Sequence, residues 1–224
     1  MEASETTRPR PRLTTDRVLR AAVDLADRAG LGALTMRRLG AELGVEAMSL
    51  YKHVANKEAI LDGVVELIVG QIEIPGAGDE WKQAMRGRAV SAREVLAGHS
   101  WAIGLLESRG SPGPATMRYL DAILGNLRSA GFSLADAVHA LWLLDSYVYG
   151  HVIQETSLSP ASTPPQGTEP TASVLERAAM SEYPHLVEVA EHARRSDYSV
   201  DREFRYGLDL ILDALERTAS PAGR

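Results

Sequence analysis

The stretch LGVEAMSLYKHVANKEAIL, Leu43–Leu61, sets a hydroxyl, a phenol, an ammonium and an imidazole (Ser49, Tyr51, Lys52, His53) shortly after a glycine, with a second ammonium at Lys57. These groups donate hydrogen bonds and carry positive charge, the chemistry that grips phosphate oxygens. A helix committed to a core would not spend its positions this way, so the residues point to something outside the protein. Arg37, a little upstream, adds a guanidinium fork that can take a guanine edge with two parallel hydrogen bonds.

The charge along the chain agrees with such a target. Residues 1–57 hold ten Lys and Arg against seven Asp and Glu, a balance of +3, and the remainder holds 14 against 23, a balance of -9, so the net charge of -6 conceals a basic front on an acidic body. Phosphate contacts supply most nonspecific affinity for DNA, and a basic end is what they require. With 224 residues, 45% hydrophobic, the chain is long enough to bury a sizeable core. There is no cysteine and no long uncharged apolar run, and the opening MEASETTRPRPR lacks the apolar segment of a signal peptide. A cytoplasmic protein is expected, with residues 1–13 as a disordered tail.

The elements that must hold the polar residues are helical, and the predicted fold class is all-α. Val18, Ala22, Leu25 and Ala29 recur at three- and four-residue steps after Thr14, a capping residue, and Gly30 ends the run. A second helix starts at Thr35 and reaches Leu43, Gly44 supplies a turn, and Asn56 caps a fourth helix carrying Ile60, Leu61, Val64, Val65 and Ile68. The helix between them is therefore short. Leu39, Leu43, Val45 and Leu50 point inward, Gly40 permits two steeply crossed helices to approach, and Gly44 permits a positive φ. This is the spacing of a helix-turn-helix, whose second helix lies in the major groove. The same spacing also fits a solvated helical hairpin within an all-α core.

The segment LTMRRLGAELGVEAMSLYKHVANKEAIL resembles the DNA-binding domain of the TetR family of bacterial transcriptional regulators, including the Tyr51-x-His53 pair and the Asn56–Lys57 step. GFSLADAVHAL, Gly131–Leu141, is similar to the corresponding stretch of the tetracycline repressors, so the resemblance is strong over 14–70 and looser over 79–218. It implies base contacts from Arg37, Glu46, Ala47 and Met48, and backbone contacts from Thr35, Ser49, Tyr51, His53 and Lys57. Ala47 stands where tetracycline repressors carry an amide, and Lys52 replaces an aromatic residue, so the operator sequence does not carry over. Ala47 and Met48 offer only apolar contact, for example to a thymine methyl.

Ile72–Gly78 reads IEIPGAG and marks a boundary, which divides the chain into a helix-turn-helix domain with its linking fourth helix, 14–70, and a helical ligand-binding and dimerisation domain, 79–218. Helices are predicted over Trp81–Ala97, Trp101–Ser108, Thr116–Ala130, Ser133–Glu155, Val174–Ala193 and Asp201–Thr218, with the proline-rich Ser159–Ser173 as a linker. Leu141, Leu144, Val148 and Val152, with Gly150 beside them, form one apolar stripe, and Phe204, Leu208, Ile211, Leu212 and Leu215 form another. Taken as bare stripes, both read rather as the core of a monomer. The resemblance implies that the two helices build a four-helix dimer bundle, and a twofold pair would read two half-sites of a palindromic operator about 34 to 36 Å apart.

His99, Trp101, Arg109, His139, Trp142, Tyr147 and His151 are the candidate effector-lining residues, apolar bodies with polar tips. The tetracycline repressors bind a magnesium–drug chelate with a histidine in the stretch that here reads GLLESRG, with an amide and a phenylalanine where this sequence has Arg88 and Ala92, and with a histidine on the fourth helix. No histidine lies within 104–110 or 60–74. The expected effector is thus a different, largely apolar small molecule, and no cofactor is expected. No nucleophile elbow, phosphate-binding loop, zinc-protease helix or dinucleotide fingerprint occurs, so an enzyme is not expected. His185, Glu188 and His192 share a helical spacing but read as surface charge rather than metal ligands. A second reading is a helical dimer that binds a small molecule or protein without DNA.

Overall fold

The computed structural model describes residues 12–76, 78–158, 183–195 and 199–218, and these are helical with no strand among them. The helices are α1 Thr15–Ala29, α2 Met36–Leu43, α3 Ala47–Leu50, α4 Lys57–Val69, α5 Trp81–Gly98, α6 Ile103–Ser108, α7 Pro114–Ser129, α8 Leu134–Leu158, α9 Pro184–Arg195 and α10 Val200–Thr218, with 3-10 turns at Leu31–Ala33 and Ser100–Ala102. Residues 1–11 of the expected tail and the whole of the expected linker lie outside the described residues.

The ends of the helices follow from local chemistry. Thr14 Oγ1 accepts the Arg17 N–H at 3.2 Å, and Asn56 Oδ1 accepts the Ala59 N–H at 2.8 Å, each satisfying a donor that the first turn leaves without a partner. Ser133 Oγ accepts the Asp136 N–H at 3.1 Å and donates back to its carboxylate, so the start of α8 lies where Ser133 was expected to cap it. Some boundaries differ from the sequence reading. α7 begins at Pro114 rather than Thr116, because the fixed φ of proline suits a first helical position where its missing N–H costs nothing. The helix expected from Trp101 is a 3-10 turn followed by α6. The start expected for α9, residues 174–182, lies outside the described residues.

α1 packs against α2 and α4, and α2 against α3. α4 in turn touches α6 and α7, while α5 is enclosed by α7, α8 and α10. The front core contains Val18, Ala22, Leu39, Leu50, Ile60, Val64 and Ile68, and the rear core Met85, Ala89, Leu96, Ile123, Leu127 and Phe132, all buried.

Helices α8 and α10 divide the residues expected at the dimer interface. Leu144, Val148, Val152, Phe204, Leu208, Leu212 and Leu215, expected at a dimer interface, are buried within the single chain, where α8 and α10 pack on each other and on α5. A side chain already enclosed by its own protomer has no surface for a second copy. Leu141, Gly150 and Ile211 are half-buried. The residues these helices turn outward are Trp142, Leu143, Ile153, Tyr206 and Leu210, each at least 45% exposed.

Candidate nucleic-acid interface and its coupling to the rear helices

The polar cluster of the sequence is held on a small rigid frame. Gly44 adopts φ +68°, a conformation that side-chain-bearing residues rarely occupy. This lets the Val45 N–H return to the Gly40 carbonyl at 2.9 Å. Leu50 is fully buried and anchors α3, and the Thr15 hydroxyl donates to the His53 carbonyl at 3.0 Å, fastening the end of that turn to α1. Against this frame Thr35, Arg37, Glu46, Met48, Tyr51, Lys52 and Lys57 are exposed, while Ala47, Ser49 and His53 are half-buried. Met48, at 74% exposure, is the most exposed large apolar side chain of the chain's described residues. An apolar group so placed on an otherwise polar edge is available for contact with a partner.

The cations of this face fall into two groups. Arg20 pairs with Asp16 and Arg28 with Glu42, so their charge is partly spent within the protein. Arg37, Lys52 and Lys57 form no ion pair among the described residues. The unspent charges flank α3, where a phosphate backbone would lie if the helix entered a groove.

Three of the seven effector candidates reach across to the front helices. His99 Nδ1 lies 2.8 Å from Asp27 Oδ1, and Trp101 Nε1 donates to the same oxygen at 2.7 Å, so both clamp the end of α1. Arg109 donates to the Glu58 carboxylate at 2.9 Å and also to Asp62, gripping α4. It also borders a cavity of about 170 Å³ between α4 and the α6–α7 turn, lined in part by Asp62, Val65, Glu66 and Leu106. Glu66, not singled out in the sequence, accepts from the backbone N–H of Ala115 and Thr116 and from the Thr116 hydroxyl at 2.5, 3.1 and 2.6 Å. Burial pushes its carboxyl up, but those donors outweigh it and hold it below the ordinary glutamate value. Asp27, Glu58, Asp62 and Glu66 therefore join α1 and α4 to the rear helices. A glutamate interrupting the apolar row of α4 was the available signal for the last of them.

The other four candidates do not gather with these. His139 and Trp142 face outward. Tyr147 stacks on Phe204 at 5.4 Å and donates to its carbonyl at 2.9 Å, while the His151 ring meets Phe204 edge-on at 4.9 Å. Burial, then the nearby Arg93, holds His151 below the ordinary histidine pKa.

What the rear core does contain is a buried polar cluster. Arg88, 1% exposed, donates from Nε to the Tyr119 hydroxyl at 2.7 Å and from Nη2 to Asp145. Burial alone would push the guanidinium down, and Tyr119 and Asp145 overcome it, so Arg88 stays charged. Among the described residues no group of three or more His, Asp or Glu is arranged to hold a metal ion; His185 and Glu188 lie 3.9 Å apart on open surface.

Comparison with known proteins decides between the hairpin and the DNA reading. Residues 18–64 match the family described as "Bacterial regulatory proteins, tetR family", and residues 74–219 match "Tetracyclin repressor-like, C-terminal domain". The chain belongs to the TetR family. Its TetR relatives include the transcriptional repressor DrrR1 of Streptomyces coeruleorubidus, 33% identical over 93% of this chain and 79% of that one. The class A tetracycline repressor from transposon 1721 of Escherichia coli is 32% identical over 92% of each. The solved structure of the TetR protein ActR of Streptomyces coelicolor in complex with actinorhodin superposes with a TM-score of 0.74 at 27% identity, over 94% of this chain and all of that one. A TetR chain combines a helix-turn-helix with a ligand-binding C-terminal region, and this one is a transcriptional regulator of that kind.

Proposed function

We propose that the protein is a cytoplasmic homodimeric repressor that binds a palindromic operator through residues 14–70 and is released by a small molecule bound within residues 79–218. The observation that carries this reading is the set of cations without an ion pair among the described residues, Arg37, Lys52 and Lys57, flanking an α3 whose backbone is fixed by Gly40, Gly44 and Leu50. Arg37, Glu46, Ala47 and Met48 meet base edges; Thr35, Ser49, Tyr51, Lys52, His53 and Lys57 meet the backbone. The gap between the two matched regions, at residues 65–73, supports the division into domains. That no described helix is long and apolar enough to cross a membrane agrees with a cytoplasmic site of action.

The three junctions at Asp27, at Glu58 and Asp62, and at Glu66 supply a route for release. A ligand that binds more tightly to the arrangement in which two α3 helices are wrongly spaced draws the dimer off DNA. Couplings of about 1 to 3 kcal/mol are usual, enough for roughly 5- to 150-fold in operator affinity. The ActR complex with actinorhodin supports a small organic effector.

Two substitutions separate the roles on the DNA face. Lys57→Ala is expected to weaken binding to every sequence and flatten the salt dependence by about one unit of slope, whereas Arg37→Ala costs on the order of 1 to 3 kcal/mol and relaxes preference at one base pair. Titrations against a panel of single-base operator variants at several salt concentrations read both; an unchanged slope and intact discrimination at every position would reject the assignment.

The dimer forms through the outward faces of α8 and α10, where Trp142, Ile153, Tyr206 and Leu210 are exposed. Trp142→Glu is expected to yield monomers in sedimentation and to lose high-affinity operator binding. A dimer undisturbed by that change would place the interface elsewhere.

A further inference from the structure

The chain has six methionines and no cysteine, so thioethers are the only sulfur it offers to an oxidant. Met1 and Met180 lie outside the described residues. Met85 is fully buried and Met36 is half-buried against the core, whereas Met48 and Met117 are 74% and 56% exposed. An oxidant must reach the sulfur, which ranks Met48 first among the described four.

Exposure alone would make Met48 a common surface lesion, but its place in the fold sets it apart. It is the second residue of α3, outside the core, while Leu50 two positions on is fully buried and anchors the helix. Gly40 holds the adjoining backbone so closely that a β-carbon there would lie 3.2 Å from the N and Cα of Ala47. A short, fixed helix therefore presents the Met48 thioether outward, and the described residues do not enclose it. Arg37, Lys52 and Lys57 are exposed around the same helix, so the thioether stands among groups suited to nucleic acid.

Resting on the reading above that α3 meets base edges, we propose that Met48 is an oxidation site through which a peroxide releases the operator. The thioether sulfur gives a lone pair to one peroxide oxygen, and the S–O bond forms as the O–O bond breaks. The proton of the transferred oxygen passes to the departing one, which leaves as water; sulfur loses two electrons and the peroxide gains them. The sulfoxide is polar and carries an acceptor oxygen where an apolar chain met the base. Closing the interface then strips water from that oxygen without replacing its hydrogen bond, which is costly. Release of this kind requires no movement of the rear helices, and sulfoxide reductases, one for each epimer, reverse it.

The test treats the full-length protein with hydrogen peroxide, maps sulfoxide at each methionine by mass spectrometry and follows operator affinity by anisotropy. The expected result is a loss of roughly tenfold or more in affinity, rising in step with sulfoxide at Met48 and restored by the paired reductases. Met117→Leu is expected to keep that response, since Met117 lies on α7 among the rear helices. In Met48→Leu the ratio of affinities with and without peroxide should fall to one, whatever the affinity of the variant itself. Should that variant bind too weakly to titrate, the oxidation and reduction cycle of the parent protein still decides. Bound operator is also expected to slow oxidation of Met48 and leave that of Met117 unchanged. Four results would each overturn the proposal: Met48 left unoxidised while Met117 is converted, Met48 oxidised as fast in the complex as in the free protein, an affinity indifferent to sulfoxide at Met48, or an equal loss in Met48→Leu. Operator titration before treatment separates the two failures: a protein that binds its operator and keeps its affinity when oxidised has lost only this inference, whereas one that binds no duplex has lost the regulatory reading.

Discussion

Gly40→Ala lowers operator affinity by roughly tenfold or more and destabilises the front of the chain by about 1 to 3 kcal/mol, the usual range for overpacking. A β-carbon at Gly40 would lie 2.9 Å from the Val45 carbonyl oxygen and 3.2 Å from the backbone N and Cα of Ala47. Those neighbours are main chain and cannot rotate away. Relief therefore requires α2 and α3 to move apart, which displaces Arg37 and Met48 relative to each other, and recognition geometry tolerates only about half an ångström of such displacement. Gly32→Ala is the control, since a β-carbon there meets nothing within 4 Å and the backbone is not in the left-handed region. Anisotropy titrations with operator DNA and urea unfolding of both variants decide the matter. A Gly40→Ala protein that binds as tightly as the parent would mean that the close crossing is not what sets the reading helix.

Asp145→Asn costs about 3 to 5 kcal/mol of stability, because it leaves the buried Arg88 charge without its counter-ion. At this chain length that corresponds to roughly 6 to 20 °C in Tm. No discount for solvent applies to Arg88, which is 1% exposed. Burial itself pushes the Asp145 carboxyl up, against the pull of Arg88, so the pair is held together by mutual need rather than by a large net gain. Hence the double replacement Arg88→Met with Asp145→Leu is expected to recover most of the loss, since a well-packed apolar pair of similar volume is often neutral or better. Thermal unfolding followed by circular dichroism measures all three proteins. If Asp145→Asn melted within a degree or two of the parent, Arg88 would have another acceptor and the description of the cluster would be wrong.

The front of the chain was legible because its signals are local. Thr14, Thr35 and Asn56 are capping residues whose partners lie three positions on, and Gly44 announces a left-handed turn. Which faces of α8 and α10 the chain turns outward was not legible. α8 reads Leu141-Trp142-Leu143-Leu144, apolar on every side, so periodicity finds the helix but cannot say which face its own protomer covers. Leu144 went inward and Trp142 outward. The contacts of three effector candidates were not legible either, for a different reason. His99 and Trp101 meet Asp27 across 72 and 74 positions, and Arg109 meets Asp62 across 47, pairings that no local spacing encodes. Arg88 was visible only as a departure from the tetracycline repressors, and the meaning of that departure depends on Tyr119 and Asp145, which arrive from two other helices.

The most direct test of a dimeric, operator-binding regulator is selection of binding sites from random duplex DNA by the full-length protein at physiological salt. Enrichment of an inverted repeat, with half-site centres one helical turn or a multiple of it apart and base preference lost at one pair in Arg37→Ala, is the expected result. Failure to enrich any sequence, with binding to duplex DNA absent even at low salt, would contradict it.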